Sequence, residues 1–330
     1  MTSRTTVNQD GTINLRDIDK GLLKFCLEYG KLPEGSESTL ETRDPADYKW
    51  LREALESVED DGKKMIRLVK ELDEDKDAAP AKVCVILEEL QAIIEDVENA
   101  NDLMKIPNSL TLVFRMCAHA SPEVRSDACW ILSTIASNNQ SGQARLLASG
   151  ALGIVTTAAS EAFPRAQSDD AEANALGKAL TALGCLVRGT PAASHTPRDS
   201  YKVAAAAAAD EKMPQKVRMR AAHALAQFSE VKGYADELWG VEGLSDALAG
   251  IVCAPFGNCD VINPDAGTLQ LKERAGNALL AMIENCTKFD RARIEKYFEG
   301  LKSQFGIALR GGDVYRTYCD ILKPIVFKFK

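Results

Sequence analysis

The side chains that could perform chemistry are few and scattered. Three histidines, His119, His195 and His223, are the natural bases and metal ligands on offer. They fall at a helix end, in a loop and inside a helical pattern. No cysteine or carboxylate stands at ligand spacing from any of them. Ser194 and His195 adjoin in a Pro-rich stretch, but a nucleophile and its base converge from separate elements, not from neighbouring positions. Gly177-Lys178 lacks the glycine loop that a phosphate cradle needs. The acidic run E-L-D-E-D-K-D at 71–77 fails as a calcium loop. Counted from Asp73, position six is Ala78 where glycine is required, and position twelve is Cys84 where glutamate is required. Arg310-Gly-Gly-Asp313 reads as a turn. Nine cysteines without a C-x-x-C read as small apolar residues of a reducing compartment. No catalytic residue, metal or cofactor is expected, and the chain reads as a non-enzyme.

With chemistry set aside, the helical pattern carries the information. In the stretch 122–162, Val124, Ala128, Ile131, Leu132 and Ile135 form one apolar face of a long helix. Asn138, Asn139 and Gly142 break it. A short helix at 143–148 and a third at 151–160, entered through Gly150, complete a triplet. Such a unit leaves its apolar stripe bare unless neighbours stack on it, so it must repeat. It does. V-R-S-D-A-C-W-I-L-S-T-I from Val124 returns as V-R-M-R-A-A-H-A-L-A-Q-F from Val217. Looser copies start at Val83, Ala175 and Leu271. Successive starts lie 41, 51, 42 and 54 residues apart. Armadillo and HEAT units run to about 40–47 residues, and the long steps hold insertions at 163–171 and 253–267. A glycine also follows the aligned alanine by 22 residues in two copies, Ala128 to Gly150 and Ala221 to Gly243. The expectation is an all-α, right-handed superhelical solenoid of armadillo/HEAT type with about four to five repeats.

The net charge of −8 argues against nucleic acid, and no apolar run approaches the length of a membrane span. No signal-peptide core opens the chain, so a monomer of the cytoplasm is expected. The organisation reads as a flexible N-terminal segment (1–47), N-terminal helices (48–79), the repeat array (80–287) and a C-terminal helical cap (288–330). Helices are expected at 15–29 and 48–58, with a linker at 31–47 and a loop at 190–200.

Function should lie on the concave wall. Armadillo proteins that clamp extended peptides carry an asparagine on the third helix of each repeat. The aligned positions here are Ile93, Thr134, Cys185, Gln227 and Ala281. The tryptophan column shows Trp130 once, then Thr181, His223 and Asn277, with Glu89 before it. The peptide-clamp pattern is absent, and Trp130 fits core and contact equally.

Several motifs together resemble one family. They are E-N-A-N-D-L at 98–103, P-x-V-R-S-D-A-x-x-I-L-S-T-x-A-S-N-N from Pro122, the S-G-A-L turn at 149–152, A-L-x-A-L-G-C-L-V-R from Ala179, and K-V-R-M-R-A from Lys216. Leu22-Leu23 to Gly30 and Trp50-Leu51 add to the match, which covers roughly residues 15–250. The sequence is similar to the Fes/Sil-type nucleotide exchange factors, cytosolic proteins that act on heat shock protein 70. The resemblance implies a non-enzymatic co-chaperone that grips the ATPase domain of heat shock protein 70 and accelerates ADP release. It places partner contacts at Asn99, Ala100 and Asn101, where small residues would allow close approach, and at Arg220 with Arg218 and Met219 beside it. Arg125 and Lys178 join them by repeat register. It implies that residues 1–47 compete for the client site. The other readings are a helix-ending turn at 99–101, a solvated arginine at 220, and an adaptor or scaffold without exchange activity.

Overall fold

The computed structural model describes residues 60–75, 77–189, 199–231, 233–256 and 265–328. The chain divides into two compact units, Met1–Lys64 and Met65–Lys330. Of the first, only 60–64 are described, so the helices expected at 15–29 and 48–58 and most of the loop at 190–200 lie outside the described residues. No strand occurs among the described residues.

The helices are α1 (Asp61–Glu74), α2 (Pro80–Ile93), α3 (Val97–Leu103), α4 (Ser109–Cys117), α5 (Pro122–Ala136), α6 (Gln140–Ala148), α7 (Ala151–Ala162) and α8 (Asp170–Val187). They continue as α9 (Ser200–Ala209), α10 (Gln215–Ser229), α11 (Tyr234–Gly240), α12 (Leu244–Cys253), α13 (Ala266–Asn285), α14 (Ala292–Glu295), α15 (Phe298–Arg310) and α16 (Arg316–Lys328). Two rows arise from their packing. α2, α5, α8, α10, α13 and α16 stack side by side as one row of rungs. α4, α7, α9, α12 and α15 stack as a second row behind it. The short helices α3, α6, α11 and α14 lead from one repeat into the next. The five repeat signatures mark α2, α5, α8, α10 and α13. The last two helices continue both rows, with Tyr318, Ile321, Leu322, Ile325 and Val326 buried on α16.

Local chemistry explains where the rungs begin. Pro122 takes the first turn of α5 behind Ser121, whose hydroxyl accepts from Val124 N at 3.4 Å. Asn139 Oδ1 accepts from Gly142 N at 3.0 Å to start α6. Asp169 and Asp265 cap α8 and α13. These two aspartates start their helices about one turn ahead of the aligned signature, so part of each expected insertion is helix. Gly150 and Gly243, the two glycines in matching register, open α7 and α12 with φ of +83° and +74°. An L side chain pays a steric cost there, and glycine does not. Asn108, at φ +63°, does the same for α4.

Small residues set the spacing between rungs. A Cβ on Gly184 of α8 would lie 3.4 Å from the Cα of Ala224 on α10. In the second row the alanine run buries Ala204, Ala205, Ala207 and Ala208. The apolar face of each rung is covered on both sides, burying Leu132, Leu180, Leu225 and Leu279 completely. Each such side chain is worth about 1.5–3 kcal/mol of transfer free energy.

Candidate partner-binding face

The signature V-R-x-(D/R)-A has two polar columns, and the structure sends them in opposite directions. The first column follows the leading valine. Arg125, Arg218 and Lys272 turn inward, each onto the C-terminal end of the second-row helix before it. Arg125 Nη1 donates to the carbonyls of His119 and Ala120, both at 2.8 Å, just past α4. Arg218 Nε donates to Ala208 O at 3.3 Å in the last turn of α9. Lys272 Nζ donates to Val252 O at 2.8 Å, Ile251 O at 3.3 Å and Ala254 O at the end of α12. Helix C-termini present unpaired carbonyls and the negative end of the helix dipole, so a cation is suited to this column. α8 carries Leu176 there. The end of α7 instead closes on itself, Ala166 N donating to Ala162 O at 3.1 Å.

Arg125 is thereby removed from the partner contacts. It is 3% exposed, and its Nη2 pairs with Glu172 Oε2 at 2.5 Å while Arg165 Nε holds the other carboxylate oxygen at 2.7 Å. This buried cluster ties rung α5 to rung α8. Arg218 is half-buried, with its Nε spent on the α9 carbonyl. Burial lowers the Lys272 ammonium to a pKa of about 8, opposed by the neighbouring Cys253 thiol.

The second column lies two residues further on, at Asp127, Lys178, Arg220 and Arg274, on four adjacent rungs. These side chains turn outward. Lys178 Nζ sits 3.4 Å from the centroid of the Trp130 ring, a cation–π contact. Trp130 is 39% exposed, so it is a surface residue and not core. The Arg220 guanidinium lies across Gly177 of α8: a Cβ on that glycine would come within 2.5 Å of Nη1. Arg274 Nη1 stands 3.1 Å from His223 Nδ1. Burial, then Arg220, lowers the Lys178 pKa, and Asp127 opposes this. Burial, then Arg274 and Arg188, lowers that of His223, leaving a neutral imidazole at pH 7. Burial raises the Asp127 carboxyl. The structure thus brings Lys178 and Arg220 together; Met219, next to Arg220 in the chain, is half-buried. Arg188, His223 and Arg274 were not among the residues foreseen for this face. The column that Arg274 shares with Arg220 was the available signal.

Residues 99–101 belong to helix α3, not to a turn after a helix. Asp96 caps it, accepting from Glu98 N at 2.8 Å and Asn99 N at 3.2 Å. Ala100 is 2% exposed, so its methyl packs inward and cannot serve close approach by a partner. Asn99 Nδ2 donates to Ile93 O at 3.1 Å. Asn101 Oδ1 accepts from Asn139 Nδ2 at 3.1 Å and Ser141 Oγ at 3.0 Å. The E-N-A-N-D-L motif is therefore a joint that fastens the end of α2 to the start of α6. Both asparagines keep an exposed part.

Paired rows of rungs joined by short helices define an armadillo-type helical repeat protein. A designed armadillo repeat protein superimposes with a TM-score of 0.57 at 14% identity, over 81% of this chain and 100% of the other. An engineered protein gives 0.57 at 16% identity over 78% and 98%. SYS-1 gives 0.50 at 14% identity, over 79% of this chain and 54% of its own. No protein-family model matches the sequence, and no curated protein matches it. At these identities the likeness establishes the fold, which is all-α and armadillo-like.

Proposed function

We propose that the protein is a non-enzymatic, cytoplasmic co-chaperone that holds the ATPase domain of heat shock protein 70 against the concave face lined by its long rungs and accelerates ADP release. Two things support this reading. The ordered motifs resemble the Fes/Sil-type exchange factors. Arg220, which that resemblance marks, and Lys178, which repeat register adds, lie together on one face, with Trp130 exposed beside them. The single observation that carries it is this column of cations, half-buried or exposed, on adjacent rungs. Asn99 and Asn101 offer their exposed edges as a second contact, while Ala100, Arg125 and Arg218 keep the frame in shape.

Exchange requires no chemistry from this chain. It requires tighter binding to the open ATPase domain than to the ADP-closed one, and the coupling is reciprocal: bound ADP weakens the hold of the factor. Residues 1–47 compete for the client site on this reading.

Release of a fluorescent ADP from heat shock protein 70 tests it. The intact protein is expected to accelerate release, and Arg220→Ala to lower that acceleration about tenfold with helicity unchanged. No acceleration at saturating protein leaves an adaptor or scaffold without exchange activity.

A further inference from the structure

Rungs α5, α8, α10 and α13 each have a rung on both sides, whereas α16 packs on α13 alone. The terminal repeat of a solenoid ordinarily turns a polar outer face to water. Here it keeps an apolar one. Leu309 on α15 is 61% exposed and Phe327 on α16 is 49% exposed. Phe298 and Phe305 are half-buried on the same stripe of α15 as Leu309. The Phe305 and Phe327 rings meet edge to face at 6.4 Å, so the two helices present one continuous patch. The bare side of α16 also has an order of its own. Tyr318, Ile321, Leu322, Ile325 and Val326 are buried. The opposite stripe is Arg316, Asp320, Lys323 and Phe327, all exposed. They stand at i, i+4, i+7 and i+11, one line along the helix. Arg316 with Asp320, and Asp320 with Lys323, have the spacings at which charges pair within a helix. Yet among the described residues none of these three charged side chains has an ion-pair or hydrogen-bond partner.

We infer that this end of the stack is a self-association surface, on which a second copy of the chain docks α16 against α16 in antiparallel order. The order of the stripe argues for that occupant. Steps of four, three and four residues read the same from either end. An antiparallel copy centred between Asp320 and Lys323 sets Asp320 against Lys323 of the second copy, and Arg316 against its Phe327 ring. Two-fold symmetry makes each contact twice, as a closed dimer requires. Each charge gains an opposite partner, and each guanidinium gains a ring face. A partner of one charge sign would satisfy only part of the stripe. The extent of the patch sets the strength. Two helices of 13 residues are each about 20 Å long and about 10 Å wide, a footprint of about 400 Å² per copy. A stable interface takes about 800 Å² per copy, so the dimer is weak, with a dissociation constant of about 10–100 μM. The sequence leads to the expectation of a monomer, and this surface makes the monomer the dilute form. The inference uses none of the residues on which the exchange proposal rests.

The test is sedimentation velocity of the full chain from about 1 to about 200 μM. The parent is expected to pass from monomer towards dimer over that range. Asp320→Lys sets a lysine against Lys323 of the second copy. Lys323→Asp sets an aspartate against its Asp320. Each variant alone is expected to lose at least about tenfold in association, since like charges then face each other twice. An equimolar mixture of the two variants restores both opposite-charge contacts, and is expected to associate within about threefold of the parent. Both positions are exposed, and unchanged circular dichroism confirms that each variant folds. A parent still monomeric at about 200 μM overturns the inference and leaves the end of the stack to a different partner. A mixture that associates no better than its separate variants also overturns it, because the pairing of Asp320 with Lys323 is then wrong.

Discussion

Replacing Glu172 by alanine should damage the joint between α5 and α8 more than any surface ion pair would suggest. The Arg125 and Glu172 side chains are 4% and 6% exposed and meet at 2.5 Å. Removing the carboxylate leaves the Arg125 guanidinium buried, with only the carbonyls of His119 and Ala120 to face. Arg165 loses its partner too, but it is 56% exposed and water replaces the bond. An uncompensated buried charge costs about 3–5 kcal/mol, against about 0–1 kcal/mol for an exposed pair. The double variant Arg125→Met with Glu172→Leu removes both charges and keeps the volume. It should recover most of the loss, because a well-packed apolar pair is often neutral or stabilising in place of a buried ion pair. The assay is urea unfolding followed by far-ultraviolet circular dichroism, with amide exchange on α5 and α8 to localise the effect. A solenoid unfolds by neighbouring units, so the exchange rates should rise first on those two rungs. A loss below about 1 kcal/mol for Glu172→Ala, or a double variant worse than the single, would refute the reasoning.

Three further outcomes follow from the geometry. Lys272 titrates near 8 when folded and at its ordinary 10.5 when unfolded. Between those values the unfolded chain holds more protons, so this lysine's contribution to stability rises with pH from about 8 to 10.5. Subtracting the stability curve of Lys272→Met from that of the parent should give that rise; a flat difference contradicts the burial argument. Gly150→Ala places a Cβ in open space but at φ +83°, so it should lose about 1–2 kcal/mol in chemical denaturation through backbone strain alone. Ala100→Arg drives a long cation into a site 2% exposed and should destabilise the first repeat by at least about 1–3 kcal/mol, the cost of overpacking. An unfolding midpoint equal to the parent's would place residue 100 on the surface after all.

Much of the architecture was legible beforehand because helical repeats write themselves into sequence twice. The apolar stripe of α5 and its copies from Val83, Ala175, Val217 and Leu271 each mark a rung, and glycines in matching register mark where second-row helices begin. The polar columns were less legible. Arg125, Arg218 and Arg220 share one motif, and nothing in their identity separates a buried clamp from an exposed contact. Only the direction of the Cβ on the rung does, and that depends on where the preceding helix ends. Ala100 was misjudged for the same reason: a small residue suits close approach equally well whether the neighbour is a partner or the protein's own core.

Periodicity, helix-opening glycines and capping aspartates are local properties, and they alone determined that this chain stacks helical triplets. Which cations stay outside was decided in three dimensions. The carbonyls that close α4, α9 and α12 are unpaired and take the first polar column of the next rung, leaving Lys178, Arg220 and Arg274 to face outward together. That sorting rests on hydrogen-bond satisfaction between segments far apart in the chain, which no stretch of sequence carries by itself.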